Sequence, residues 1–238
     1  RDLLCGAQQS GTICGKIDPS RLNILVLGDS MAIDGLNIFQ AAFPEANYLI
    51  SEHGGCPMLL SLENIGHSYD GCDSLNKKRM ADISRLNGEF DFIILSQRLN
   101  VERIAVMEQT VKEFARSGAR IIVLGVGPAF RADLAPLIAE HGTMEEIESA
   151  IQKYSITSDY VVDDRLAPVV RELRGVYVQR RPFFCLDNGR CRVVMRDGSP
   201  LSFDQHHLSL QASNEFGRYL RRTQPNLLTL REASSDSN

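Results

Sequence analysis

The apolar run Ile24-Leu25-Val26-Leu27 does not alternate with polar residues, the pattern of a strand buried on both faces. Beyond it Met31, Ile33, Leu36, Ile38 and Phe39 recur at helical spacing. This predicts a strand over 24–28, a helix over 30–42 and a strand over 47–51. A loop holding Cys56 and Cys72, a polar helix near 74–87 and a strand over 91–96 follow. Residues 101–117 read as an amphipathic helix stopped by Gly118, which feeds a strand over 120–125 ended by Gly127-Pro128. Residues 129–158 carry one clear signal, the capping-box pattern Thr143-Met144-Glu145-Glu146, which opens a helix running to about Tyr154. A helix over 158–174, a strand over 176–178, a hairpin from Cys185 to Cys191 turning at Asn188-Gly189, and a last helix over 209–222 complete the pattern. Strands alternating with helices make this an α/β chain with a mostly parallel sheet covered on both faces.

That frame gives two short segments chemical meaning. Gly28-Asp29-Ser30 directly follows the first buried strand, so Ser30 sits at a strand-to-helix turn on the carboxyl edge of the sheet, where open α/β proteins bind ligands. A serine needs a base to take its proton, and a histidine serves best when a carboxylate fixes its tautomer. Asp204-x-x-His207, just before the last helix, offers both within one turn of backbone. Ser30, Asp204 and His207 are therefore the catalytic candidates, with His206 competing for the base position. Either segment alone has an ordinary explanation, since Asp-Ser after a strand commonly caps a helix. Their conjunction points to nucleophilic catalysis, and Asp29 reads as a brace for the loop.

The chain resembles the SGNH hydrolases, esterases and acyltransferases whose four sequence blocks are named for Ser, Gly, Asn and His. Gly28-Asp29-Ser30 matches the serine block, and Asp204-x-x-His207-Leu208-Ser209 the histidine block. Gly55, in Glu52-His53-Gly54-Gly55-Cys56-Pro57, is the best match to the glycine block. The third block departs from the pattern: Ser96-Gln97-Arg98-Leu99-Asn100 puts Arg98 where the family has asparagine, and Asn100 comes two residues late. The resemblance thus implies an oxyanion hole from the backbone N–H groups of Ser30 and Gly55, with Arg98 as a substitute donor. It also implies a three-layer α/β/α sandwich of the flavodoxin-like kind.

Gly55-Cys56-Pro57, the arginine in block three and the short Cys185 to Cys191 segment are similar to periplasmic SGNH domains fused to multi-spanning membrane acyltransferases. Those proteins O-acetylate lipopolysaccharide O-antigen and other surface glycans. The resemblance, from about residue 21 to 222, implies a serine-dependent O-acetyltransferase acting on a polysaccharide. Its acyl donor would come from an attached or associated membrane domain, and it would lie in the periplasm as a soluble domain of an inner-membrane protein. An acetylesterase and a glycan-binding module without chemistry are the alternatives, separated by whether the acyl group passes to a sugar, to water or nowhere.

Composition narrows the classes further. With 26 basic and 30 acidic residues the formal charge is −4, and no basic cluster suits a nucleic acid. No apolar run reaches the roughly 18 residues of a membrane span. The N-terminal Arg1-Asp2-Leu3-Leu4-Cys5 lacks the pattern of a signal peptide, which suggests a processed or excised piece of a longer protein. The six cysteines form three sequence-local pairs, Cys5–Cys14, Cys56–Cys72 and Cys185–Cys191. As disulfides they place the chain in an oxidising compartment; six reduced thiols in a cytosolic enzyme are the other reading. No metal-ligand spacing joins His53, His67 and His141, and there is no phosphate-binding glycine loop, so neither metal nor cofactor is expected. His53 lies close enough to Gly55 to line the site. The Arg180-Arg181 pair reads as solvated loop charge or as a dock for an anionic glycan. The expected organisation is a disulfide-closed leader over 1–20, a catalytic domain over 21–224 and a polar, frayed tail over 225–238, monomeric as an isolated domain.

Overall fold

A computed structural model describes residues 12–60, 71–86, 88–141, 143–186 and 190–229. The strands are β1 (Asn23–Gly28), β2 (Asn47–Glu52), β3 (Phe92–Leu95), β4 (Arg120–Leu124) and β5 (Val176–Val178). The helices are α1 (Ala32–Ala42), α2 (Cys72–Arg85), α3 (Ile104–Ala115), α4 (Leu134–Ala139), α5 (Met144–Gln152), α6 (Val161–Glu172), α7 (Arg181–Phe184) and α8 (Leu210–Thr223). The strands form one five-stranded sheet in the order β2-β1-β3-β4-β5, parallel throughout.

Every residue of β1 is buried, and its side chains feed two separate cores. Ile24 and Val26 join Phe39 of α1, Phe216 of α8, Ile151 of α5 and Phe184 of α7 on one face. Leu25 and Leu27 join Ile83 of α2, Phe114 of α3 and Leu166 of α6 on the other. The result is the three-layer α/β sandwich that the alternation of strands and helices predicts. Strand order reverses beside β1, where the chain leaves for β2 and returns on the other side to β3, and this switch point opens a crevice at the carboxyl ends of the strands. No helix among the described residues is long and apolar enough to cross a membrane.

Several elements differ from their expected form. Short α4 and α7 have no counterpart in the sequence pattern, because six and four residues are too few to show a period. The helix expected over 101–117 begins with a 3₁₀ turn over 101–103, and α6 is likewise preceded by one over 158–160. Past Pro225 the chain stays packed, with Leu227 and Leu228 buried in the α1/α8 core, so fraying does not begin there. Residues 230–238 lie outside the described residues, as does the Asn188-Gly189 turn. The ends of the expected hairpin are in place, with Cys185 bridged antiparallel to Cys191 and the Leu186 N–H donating to the Arg190 carbonyl at 2.7 Å.

Disulfides join Cys56 to Cys72 and Cys185 to Cys191. The third expected bridge involves Cys5, outside the described residues. Nearby, Thr12 donates from its N–H and hydroxyl to Asp82 of α2 (2.7 and 2.8 Å), and Cys14 pairs with Ile50 of β2. The Cys56–Cys72 bridge closes a loop of 16 residues. Its removal by Cys56→Ala with Cys72→Ala is expected to lower stability by about 3 kcal/mol, read as a lower midpoint in guanidinium denaturation without reductant.

Candidate active site

The site forms where β1 ends. A side chain at Gly28 would put its Cβ 1.9 Å from the Ser96 carbonyl oxygen, so only glycine lets β1 pass β3 at this point. Asp29 is buried; its carboxylate accepts from the Met31 N–H at 3.0 Å and the Arg98 N–H at 3.1 Å, tying the turn after β1 to the loop after β3. Asp29 is thus a brace, and Ser30 stands between it and α1 with its hydroxyl in the crevice.

The partner segment is folded by its own side chains. Asp204 Oδ1 accepts from the N–H groups of His206 (2.9 Å) and His207 (2.8 Å), a local Asx-type turn that brings Oδ2 to 2.6 Å from His207 Nδ1. His207 Nε2 then lies 2.7 Å from Ser30 Oγ, across a separation of 177 residues. This network assigns the tautomer, with Nδ1–H donating to Asp204 and Nε2 accepting from the serine hydroxyl. Burial disfavours the Asp204 carboxylate, but the His206 N–H, the His207 ring and the His207 N–H outweigh it and hold the group well below the usual carboxylate range. His206 packs at a tilt beside His207, with ring centroids 4.3 Å apart, and does not take the position next to Ser30. Burial, and then the neighbouring His207, push its pKa down.

Asp204, His206 and His207 are also the group that could surround a metal, their ligand atoms lying within 4.8 Å of one another. Both ring nitrogens of His207 and both carboxylate oxygens of Asp204 are already engaged, so this cluster is organised for hydrogen bonding. Among the described residues His53 and His141 make no hydrogen bond to Ser30, Asp204 or His207; His67 lies outside them.

Gly55 adopts φ of +75°, and the adjoining Cys56 is tied to the start of α2 by its disulfide. Sequence reasoning missed what anchors this loop. Arg79, 1% exposed, donates to the carbonyls of Cys56 (3.1 Å), Gly28 (3.0 Å) and Ser51 (3.2 Å). One guanidinium thereby links the chain just after Gly55 to the chain just before Ser30. Burial lowers its pKa to about 10. Asn76, also buried, donates to the carbonyls of Pro57 (2.9 Å) and Leu59 (3.0 Å). The available signal was spacing: Cys72, Asn76, Arg79 and Ile83 form the buried stripe of α2, two polar residues occupying core positions.

Two further buried charges lie behind the site. Asp34 of α1 accepts from the Leu208 N–H at 2.9 Å, fixing the chain immediately after His207. Arg180 is 2% exposed and donates from Nε to the Gly125 carbonyl at 2.6 Å, so it is not the solvated loop charge that its neighbourhood in the sequence suggested. Arg181 lies instead over the Tyr160 ring, 4.5 Å from its centroid. Burial pushes Asp34 up to about 6, despite the Leu208 N–H and the positive charge of Arg180. A carboxyl raised on folding is favoured in its protonated form; that contribution is complete below about pH 4 and disappears as pH rises through about 6. Asp34→Asn keeps an acceptor for Leu208 and removes the titration. Its stability relative to the parent is expected to increase between pH 4 and pH 7 by up to about 3 kcal/mol, read from urea denaturation at several pH values.

Arg98, at the block-three position, has an exposed side chain. It lines a cleft beside the serine together with Met31, Gly127, Asp159, Arg180 and His206.

Residues 4–222 match the family model of the SGNH domain (fused to AT3 domains). The chain belongs to this family. Among solved structures, the SGNH domain described here is similar to the periplasmic domain of the lipopolysaccharide acetyltransferase of Salmonella ser. Paratyphi A. The likeness has a TM-score of 0.66 at 19% identity, over 87% of this chain and 85% of that one. At that identity it speaks for the fold of the SGNH domain. No curated protein matches the chain.

Proposed function

We propose that this SGNH domain transfers an acetyl group, through an acyl-enzyme on Ser30, to a hydroxyl of a bacterial surface polysaccharide such as lipopolysaccharide O-antigen. The observation that carries the reading is the hydrogen-bonded chain from Ser30 Oγ through His207 to Asp204, with contacts of 2.7 and 2.6 Å. In the first half-reaction Ser30 Oγ attacks the acyl carbonyl while its proton passes to His207 Nε2. The imidazolium, stabilised by ionised Asp204, then protonates the departing group of the donor. In the second half the acceptor hydroxyl gives its proton to Nε2 as its oxygen attacks the ester, and Ser30 leaves with that proton restored.

The oxyanion in each half is assigned to the N–H groups of Ser30 and Gly55, neither of which has a protein acceptor among the described residues. Arg98 is not needed as a donor in this scheme. Fusion to AT3 domains in the family supports delivery of the acyl group by an attached or associated membrane domain, with this domain in the periplasm. Disulfide bonds fit that oxidising compartment.

The test is peptide mapping by mass spectrometry after brief exposure to an activated acetyl ester, with and without surface polysaccharides, in the parent and in Ser30→Ala. An acetyl group on the Ser30 peptide that moves to polysaccharide is the expected result. Release to water alone identifies an esterase. An unlabelled Ser30 in every condition removes the acyl-enzyme.

A further inference from the structure

The cleft beside Ser30 holds charged groups that the acyl-transfer chemistry does not use. Asp159 lies half-buried in the 3₁₀ turn before α6, and among the described residues its carboxylate receives no hydrogen bond and no cation comes within ion-pair distance. Burial raises its pKa, and the charge of Arg98 partly offsets this. Arg98 brings its guanidinium to the same cleft from the loop after β3, and among the described residues that guanidinium has no acceptor. Arg180 contributes to the wall, but its charge is answered by the buried Asp34 and Asp163, and its Nη1 is buried without an acceptor. Of the charged side chains of the cleft, Asp159 and Arg98 are therefore the two left to meet a ligand, one acceptor and one fork of donors, with His206 Nδ1 a further polar atom without a partner among the described residues.

This pairing selects chemically. A carboxylate or phosphate on the ligand would meet Arg98 favourably but would be repelled by Asp159, and an ammonium would meet the reverse conflict. A group that both donates and accepts satisfies the two together, and adjacent hydroxyls do so: one O–H donates to the carboxylate while a hydroxyl oxygen accepts from the guanidinium. Met31 and His206, the sequence neighbours of Ser30 and His207, line the same cleft, which puts it next to the segments that carry the nucleophile and the base. The cleft is shallow and open to solvent, so it can receive one unit of a longer chain from outside without enclosing it.

Building on the acyl-transfer reading, we propose that Arg98 and Asp159 form the acceptor subsite and that they bind adjacent hydroxyls of an uncharged sugar residue. Asp159 and Arg98 are then positioning and specificity residues, acting on the acceptor alone.

Binding is measured in the Ser30→Ala domain, so that no acyl transfer intervenes. Neutral gluco-, manno- and galacto-oligosaccharides and an oligogalacturonate of equal length are titrated while amide and arginine Nε signals are followed by NMR. At least one neutral oligosaccharide is expected to shift the Arg98 Nε and Gly127 amide signals and to bind about tenfold more tightly than the galacturonate. Asp159→Asn and Arg98→Gln, each checked for a native spectrum, are expected to weaken it about tenfold. Equal affinity in parent and variants, tighter binding of the galacturonate, or no shift at the cleft with any neutral sugar overturns the proposal. An absent Ser30 adduct in the mapping experiment would overturn the acyl-transfer reading and leave this binding result standing.

Discussion

His207→Ala is expected to lower turnover of an acetyl ester by about 10⁴-fold, whereas His206→Ala, one residue away, has a far smaller effect. The asymmetry follows from geometry. Only the His207 ring lies between Ser30 Oγ at 2.7 Å and Asp204 Oδ2 at 2.6 Å, while His206 packs against its side. On the acyl-transfer reading, the variant leaves the serine hydroxyl with no hydrogen-bond partner among the described residues to take its proton, and residual rate comes from binding and the oxyanion donors. Steady-state kinetics on both variants decides the matter. Comparable losses at the two positions, or a His207 variant within tenfold of the parent, would show that another base serves the serine.

The second large effect is expected at Arg79. Arg79→Met keeps much of the side-chain volume but deprives the carbonyls of Gly28, Ser51 and Cys56 of a shared donor. The cost is about 2–4 kcal/mol, less than the loss of these three hydrogen bonds and a fourth to Asn76 Oδ1 would suggest, because burying the guanidinium is itself unfavourable. In a domain of this size that lowers Tm by roughly 10 °C. Below that transition the folded variant is expected to lose about a hundredfold in turnover, since the loops presenting Ser30 and Gly55 are no longer held to each other. Arg79→Lys does not restore the rate, because an ammonium on a flexible stem cannot reproduce a planar fork bridging three carbonyls. Calorimetry together with kinetics at 25 °C reads both quantities. A variant that loses stability while keeping full turnover would confine Arg79 to a structural role.

What could be read from the sequence was what repeats or lies close along the chain. Ile24 to Leu27 announced a strand because both of its faces are buried, and the capping box at Thr143 announced α5 because Thr143 and Glu146 satisfy each other's N–H groups locally. The proximity of Asp204 to His207 was legible for the same reason, three residues being within reach of one turn. Arg79, Asp34 and Arg180 were not legible. Each is a polar residue holding a backbone carbonyl or N–H that lies 51, 174 and 55 residues away, and beyond the buried spacing of Arg79 on α2 nothing local separates it from a surface charge. The α4 region stayed obscure because its anchoring is also remote, the Phe130 and Leu134 N–H groups donating to the carbonyls of Gln205 and Asp204.

The 177 residues between Ser30 and His207 have a consequence for the order in which the molecule matures. A nascent chain that has emerged only as far as α7 can contain a finished nucleophile turn, yet its hydroxyl remains an ordinary alcohol. The base arrives with the segment leading into α8, and α8 seats against α1 through Ala212, Phe216 and Leu220, packing on Ile38, Phe39 and Ala42. On the acyl-transfer reading, an acyl group on Ser30 would therefore report a domain in which the segment leading into α8 has reached its place beside β1.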